Sequence, residues 1–159
     1  MPTPRPTLWI DGDACPVRVK QIIAKAADRL QLAAVLVANQ HQRPPSPRVK
    51  VVVVPGGLNV ADDHIAERAA EGDVVVTADI PLAARLVPKG VHVLDHRGKS
   101  LDASNVGEAL AMRNLADELR SGGLLPVSGP SAFSDRDAQA FAGAFDRLLT
   151  RLRAGWEAS

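Results

Sequence analysis

The sequence predicts an α/β protein with three layers, in which a mostly parallel central sheet of about five strands is flanked by helices on both faces. Apolar runs of strand length recur along the chain, and segments with helical periodicity separate them. The runs are almost continuously apolar, as in "VKVVVVP" and "DVVVTAD", which is typical of parallel strands buried on both faces. The 159 residues are enough for one domain with a substantial core.

Strand-like runs are found at 7–11, 32–39, 49–55, 73–79 and 91–95. The segment 41–48, between the second and the third of them, contains three prolines, which fix the backbone and lack an N–H donor. Because a crossover helix is excluded there, we expect one of the flanking strands to lie at a sheet edge or to run antiparallel.

Helices are predicted at 16–30, 60–71, 80–90, 105–121 and 134–153. Pro16 stands at the first position of the first helix, where a missing N–H is tolerated. Asp79 is a plausible N-cap for the third helix, with Pro81 in its first turn. Ser134 and Asp137 form a pair resembling a capping box at the start of the last helix.

One domain is predicted at 7–153, with a flexible N-terminal arm at 1–6 and a C-terminal tail at 154–159. The Pro-rich start "MPTPRPT" lacks the apolar region of a signal peptide, and no apolar run approaches the ~18 residues of a membrane span. The one cysteine cannot form an internal disulfide, which fits a reducing compartment. We therefore expect a cytoplasmic protein without membrane contact.

Charge is distributed unevenly, although the formal net charge is only +1. Residues 1–50 carry eight Lys and Arg against three Asp and Glu, and residues 51–100 carry five against seven. The basic first third would suit a phosphate-facing surface, but solvated helix faces have the same composition. With three Phe, two Trp and no Tyr, the chain has little material for a module that binds single strands by base stacking alone.

Acidic and amide side chains follow four of the five predicted strands. They are Asp11 and Asp13, then Asn59, Asp62 and Asp63, then Asp79, and finally Asp95. Because ligands of open α/β sheets bind outside the carboxyl ends of the strands, we expect these side chains to converge at one edge.

Converging carboxylates repel one another, and a hard divalent cation such as Mg²⁺ or Mn²⁺ relieves that repulsion. Such an ion would activate water for attack on a phosphodiester. Aspartate is also a favoured N-cap, and Asp13, Asp62 and Asp79 each lie at or just before the start of a helical stretch. For any one of these residues taken alone, helix capping is a better explanation than metal binding. Their recurrence at the ends of successive strands favours a shared metal site.

The chain resembles the YaiI/YqxD family of bacterial proteins (UPF0178, DUF188) over about residues 8–149. The resemblance lies in "WIDGDACPVRVK", "VAN", "ADDHIAE", "GDVVVTADIPLAARLVPKG", "HRGKSL", "LAMRNLADELR" and "GPSAFSDRDAQAFAGAFDRLL". This family is grouped with PIN-like domains, whose characterised members are metal-dependent ribonucleases. The resemblance thus implies a PIN-like fold for residues 7–153 and a nuclease acting on RNA.

The resemblance also implies site residues. Asp11, Asp62 and Asp79 match the acids of the PIN-like pattern, and Asp13 belongs to the family's own "D-x-D". These four would be the catalytic residues and the ligands of Mg²⁺ or Mn²⁺, with Asp63 in reserve. Asn59 stands where the family often has an aspartate; an asparagine can coordinate but brings no charge.

Substrate contacts are predicted at Lys20, Arg97, Thr77 and Asn59, for RNA or another nucleic acid. Lys20 lies in the first turns of the first helix, and Arg97 follows the last strand, so both would meet phosphate unless they are merely solvated. Thr77 would orient a carboxylate or a water, or simply pack within its strand.

Two other functions remain open. A "D-x-D" after the first strand also supplies the aspartyl nucleophile of haloacid-dehalogenase phosphatases, and here the nucleophile would be Asp11. The order of motifs differs, because the acidic pair "DD" precedes Thr77 here, whereas the acidic motif of those enzymes comes last. A non-catalytic binding or regulatory domain with a degenerate site is the other alternative. Cys15 is interpreted as a small residue at a tight turn rather than a nucleophile.

Overall fold

The structure is a computed structural model and describes residues 2–124 and 132–156. Within these ranges it confirms the predicted α/β class, with a six-stranded, mostly parallel sheet. The strands are β1 (Leu8–Asp11), β2 (Ala34–Ala38), β3 (Val49–Val53), β4 (Val74–Val76), β5 (His92–Leu94) and β6 (Ser100–Leu101). The helices are α1 (Val17–Leu30), α2 (Val60–Arg68), α3 (Ile80–Leu86), α4 (Val106–Ser121) and α5 (Asp135–Arg153).

The sheet has the strand order β3-β2-β1-β4-β5-β6. Strands β1 to β5 are parallel, and β6 pairs antiparallel with β5. The Pro-rich connection does lead to an edge strand, β3, but β3 runs parallel to β2, so the antiparallel alternative was wrong. β6 was not predicted, since a strand of two residues is too short to show a period.

Each strand sends alternate side chains into two separate cores, because successive residues point to opposite faces of a sheet. On one face, Leu8 and Ile10 pack among residues of α1 and α5, including the stacked rings of Phe141 and Phe145. On the other face, Trp9 packs among residues of α2 and α3. The near-continuous apolar runs in the sequence reflect this burial on both sides.

The helix boundaries differ from the predictions at a few ends. Pro16 is the N-cap of α1 rather than its first residue, and helix α2 stops at Arg68 rather than at 71 because Ala69 is extended. The capping box of Ser134 and Asp137 is confirmed. The described part of the chain contains no helix that is long and apolar enough to cross a membrane.

The two ends of the described chain contact each other. Thr3 forms a β-bridge with Trp156, and the guanidinium of Arg5 lies over the Trp156 ring. Residue 1 of the predicted arm, residues 129–131 of the segment "GPSAFSDRD" and residues 157–159 of the predicted tail lie outside the described residues.

Candidate functional site

The strand order contains a topological switch point between β1 and β4. From β1 the chain proceeds to β2 and β3 on one side, and it then returns across the sheet to β4 on the other side of β1. Open α/β sheets bind ligands in the crevice that such a reversal leaves beyond the carboxyl ends of the strands. The residues that follow β1 and β4 therefore occupy the favoured position for a site.

The strand register places Asp11 beside Thr77. Ile10 of β1 pairs with Val76 of β4, so the next residue of each strand also lies side by side and on the same face. The Thr77 hydroxyl donates to Oδ2 of Asp11 at 2.8 Å, and Thr77 is fully buried. This hydrogen bond orients the Asp11 carboxylate, which is one of the two roles considered for Thr77 from the sequence.

Asp79 enters the same group through the N-terminus of α3. Its backbone N–H donates to the Thr77 hydroxyl at 3.0 Å, and its Oδ1 accepts from the backbone N–H of Leu82 at 2.8 Å. The N-cap interpretation of Asp79 is confirmed, and capping brings the carboxylate to the end of β4 beside Asp11.

Asp62 completes the group from the first turn of α2. Burial raises the pKa of Asp62 to about 6, and the charges of Asp79 and Asp11 and a hydrogen bond to the Asp79 side chain add to the rise. Burial likewise raises the pKa of Asp11, the Thr77 hydrogen bond opposes that rise, and Asp79 and Asp13 reinforce it. Three carboxylates from three elements thus lie close together, and the charge of Asp79 disfavours ionisation of both Asp11 and Asp62. We call Asp11, Asp62 and Asp79 the carboxylate cluster.

Asp13 lies next to the cluster but has a structural partner. Both of its carboxylate oxygens lie 3.0 Å from the backbone N–H of Asn39, which follows β2. Between the two aspartates, Gly12 donates to the Val37 carbonyl at 2.8 Å, and a Cβ on Gly12 would stand 2.5 Å from Cδ2 of Leu36. The glycine of "D-G-D" therefore permits close packing on β2, and Asp13 fixes the loop there.

Capping does not explain Asp13 or Asp62. The N-cap of α1 is Pro16 and that of α2 is Asn59, and no side-chain hydrogen bond caps either helix. Asn59 adopts a left-handed conformation with φ of 65°, which asparagine tolerates better than most residues. The local backbone thus gives a reason for an asparagine at the start of α2.

The remaining predicted residues have partners of their own. Asp63 forms an ion pair with Arg85 at 2.6 Å, and Arg97 forms one with Asp137 at 3.3 Å. Asp95 accepts hydrogen bonds from two backbone N–H groups of the β5–β6 turn and so stabilises that turn. The described contacts therefore join Asp11, Thr77, Asp79 and Asp62 and turn Asp63 and Asp95 to other partners.

Two residues near the cluster escaped the sequence reasoning. The charge of Arg85 opposes the rise in the pKa of Asp62, so this arginine faces both Asp62 and Asp63. The side chain of Gln42 donates to the Gly12 carbonyl at 3.2 Å and so contacts the loop between Asp11 and Asp13. Arg85 lies in a helix and Gln42 in a Pro-rich loop, and no spacing in the sequence singles out either of them.

Cys15 has the environment of a buried structural thiol. Its side chain is buried, and burial raises its pKa to about 12, with a partial opposing effect of Lys20. A thiol that stays protonated at neutral pH is a poor nucleophile.

The chain as a whole matches a family of bacterial proteins. Residues 9–151 match the family described as "Uncharacterized BCR, YaiI/YqxD family", DUF188. The chain belongs to the YaiI/YqxD family. A UPF0178 protein of Pseudomonas fluorescens is 51% identical over 146 residues, covering 91% of this chain and 96% of that protein. One from Bordetella parapertussis is 50% identical over 145 residues, covering 91% and 90%.

A solved structure shares the fold of this YaiI/YqxD protein at much lower identity. A xanthine dehydrogenase from Bacillus halodurans superimposes with a TM-score of 0.52 and 13% sequence identity. The match covers 99% of this chain and 45% of that one, so this chain corresponds to less than half of the longer protein. At this identity the likeness concerns the fold alone.

Proposed function

We propose that this protein is a metal-dependent nuclease that hydrolyses phosphodiester bonds, with RNA as its substrate class. The observation that carries the proposal is the meeting of three carboxylates at the switch point of a parallel sheet. Such a cluster is costly without a cation, because like charges at close range repel one another and the pKa values of Asp11 and Asp62 are raised. The PIN-like grouping that the family resemblance implies would fit the same chemistry.

Asp11, Asp62 and Asp79 would hold Mg²⁺ or Mn²⁺, with Asp13 beside them. Their oxygen donors and their mutual repulsion fit a hard divalent cation. Within 2–124 and 132–156, however, no three His, Cys, Asp or Glu side chains are arranged around one point for an ion, so binding would involve rearrangement of the cluster. When bound, the ion would supply Lewis-acid activation of a phosphate and of the attacking water.

The protein's own groups prepare this site. The Thr77 hydroxyl stabilises the charged form of Asp11, since its hydrogen bond lowers the pKa of that carboxyl. The Leu82 N–H fixes the orientation of Asp79 in the same way. Lys20, Arg97 and Asn59 remain the proposed substrate contacts, whereas Thr77 positions Asp11.

The strand order β3-β2-β1-β4-β5-β6 also occurs in dinucleotide-binding folds, but the loop after β1 opposes that function here. Dinucleotide sites need glycines in this loop so that the backbone can approach the pyrophosphate. The loop here reads "D-G-D-A-C-P" and places two carboxylates where the phosphates would lie. Phosphate binding at this loop would require a cation between them.

The test is cleavage of mixed RNA and single-stranded DNA in the presence of Mn²⁺ by wild type, Asp11→Asn and Asp79→Asn. Both substitutions should lower cleavage by at least about 100-fold, because each removes a charge from the cluster. Asp146→Asn serves as the matched control, since Asp146 lies on the surface of α5 and pairs with Arg29 at 3.6 Å. Equal cleavage by wild type and the two cluster variants would indicate contamination and overturn the proposal.

Two further measurements separate the alternatives. Detection of a phosphoryl group on Asp11 after incubation with phosphate esters would instead support a phosphatase of the haloacid-dehalogenase type. If metal-free wild type fails to bind Mn²⁺ at millimolar concentration, the nuclease proposal fails and a non-catalytic binding domain remains.

A further inference from the structure

A groove opens between the N-terminal half of α1 and the Pro-rich loop 39–48, with a volume of about 760 Å³. It exists because β2 and β3 are parallel strands joined without the helix that usually covers such a connection. The lining residues are Val17, Lys20, Gln21, Gln42, Arg43, Pro44, Pro45, Ser46 and Pro47.

The charge of the groove has one sign. Its charged lining residues are Lys20 and Arg43, and its lining contains no acidic residue. The first turn of α1 also carries no acid. Among the described residues neither cation forms an ion pair, whereas Arg18 on the same helix is paired with Asp135. The groove therefore presents uncompensated positive charge.

A chain of two hydrogen bonds connects the groove to the loop after β1. Nζ of Lys20 donates to Oε1 of Gln42 at 2.6 Å, and Nε2 of Gln42 donates to the Gly12 carbonyl at 3.2 Å. Gly12 lies between Asp11 and Asp13, so two hydrogen bonds lead from the groove to the loop that bears the cluster. A ligand bound at Lys20 and Gln42 would thus lie beside the loop that bears the cluster.

We propose that this groove binds the sugar-phosphate backbone of single-stranded RNA next to the bond that is cleaved. The identity of the ligand rests on the proposed function. Lys20 and Arg43 would contact successive phosphates, and Gln21 and Ser46 would supply hydrogen bonds to the backbone. The prolines restrict the loop, so little conformational entropy is lost when a strand binds.

Binding is measured without catalysis, by fluorescence anisotropy of a labelled RNA of about 12 nucleotides in EDTA. The groove variant is Lys20→Gln with Arg43→Gln, and the charge-matched control is Lys50→Gln with Arg153→Gln, two exposed positions outside the groove. The groove variant should bind on the order of tenfold more weakly than wild type. The slope of log association constant against log salt concentration should be less steep by about 1.4. The control should lose far less affinity and keep a steeper slope.

Arg43→Gln alone guards against misfolding, since Arg43 is exposed on a loop, and it should weaken binding several-fold. Equal affinities of the groove and control variants would overturn the groove assignment, even if Mn²⁺-dependent cleavage is present. Groove-dependent binding without any cleavage would leave the groove standing and overturn the nuclease function. Equally tight binding of a duplex of the same sequence would overturn the assignment to a single strand.

Discussion

The hydroxyl of Thr77 connects the Asp11 carboxylate to the backbone of Asp79. It donates to Asp11 and accepts from the backbone N–H of Asp79, and it is fully buried. Both partners would lose a hydrogen bond if the hydroxyl were removed, in surroundings where water replaces it poorly. The residue therefore fixes the position of Asp11 and opposes the rise that burial causes in its pKa.

Thr77→Val should raise the pKa of Asp11 further and lower the free energy of unfolding by about 1–3 kcal/mol, because valine keeps the shape and loses the hydroxyl. Carboxyl-carbon NMR titration of metal-free protein reports the pKa, and urea unfolding reports the stability. Thr77→Ser is the control, since it keeps the hydroxyl and should leave the pKa of Asp11 in place. An unchanged Asp11 titration in the valine variant would contradict this role.

The neighbouring acids Asp62 and Asp63 have opposite electrostatic surroundings. The pKa of Asp62 is raised to about 6 by burial and by the cluster, whereas Asp63 is exposed and paired with Arg85. Between the ordinary value near 3.8 and about 6, the folded protein retains a proton that the unfolded chain releases. This group therefore stabilises the fold at low pH, and its contribution is lost as pH rises through that window.

Asp62→Asn should remove the decrease in the free energy of unfolding that this carboxyl causes as pH rises. The metal-free variant should therefore be more stable than wild type above pH ~6, and should differ little from it below pH ~4. Asp63→Asn should show the same decrease with pH as wild type, and its free energy of unfolding should be lower by at most about 1 kcal/mol throughout this range, as expected for an exposed ion pair. Urea unfolding in EDTA from acid to neutral pH measures both. If the two variants show the same pH profile, the cluster does not destabilise the charged form of Asp62.

At the scale of the elements, Asp73 connects β1, β4 and the end of α2 at the amino ends of the strands, whereas the cluster lies at their carboxyl ends. Its carboxylate accepts from the backbone N–H groups of Thr7 and Ala70 and from the Trp9 indole, at 2.9–3.0 Å. Asp73 precedes β4 and is buried, so it lies at the amino end of the strands. Its contacts serve stability rather than the site.

Asp73→Asn should lower the free energy of unfolding by about 2–4 kcal/mol, because an amide cannot accept all three hydrogen bonds. Thermal unfolding measures the loss, with Asp146→Asn as a surface control that should change little. Mn²⁺ affinity and any Mn²⁺-dependent cleavage by the folded fraction should stay at wild-type values. A selective loss of either, with stability intact, would place Asp73 in the functional site.

At the scale of the whole molecule, the path of the chain assembles the site. The return from β3 to β4 passes through α2, and this crossing carries Asp62 over the switch point toward the ends of β1 and β4. The helix-free connection between β2 and β3 leaves the basic groove open beside α1. Gln42 of the groove lining donates to the Gly12 carbonyl, so this contact connects the groove to the "D-G-D" loop that bears the cluster.

Local patterns in the sequence determined the order of strands and helices in the chain, the cap at Asp79, the capping box of α5 and the presence of acids after the strands. These features depend on side-chain periodicity and on contacts a few residues apart, which a sequence displays directly. Element ends were less well determined, as α2 and the two-residue strand β6 show, because the backbone there depends on neighbours distant in the chain.

The tertiary structure alone decided which acids meet. The register of β1 against β4 set Thr77 beside Asp11, and a rotation of about 100° per helical residue directed Asp62 to the cluster and Asp63 to Arg85. The bond from Asp13 to Asn39 and the basic groove depend on where β2 and its loop lie. Each of these contacts joins segments distant in sequence, so its physical cause is strand order and packing, which no local pattern records.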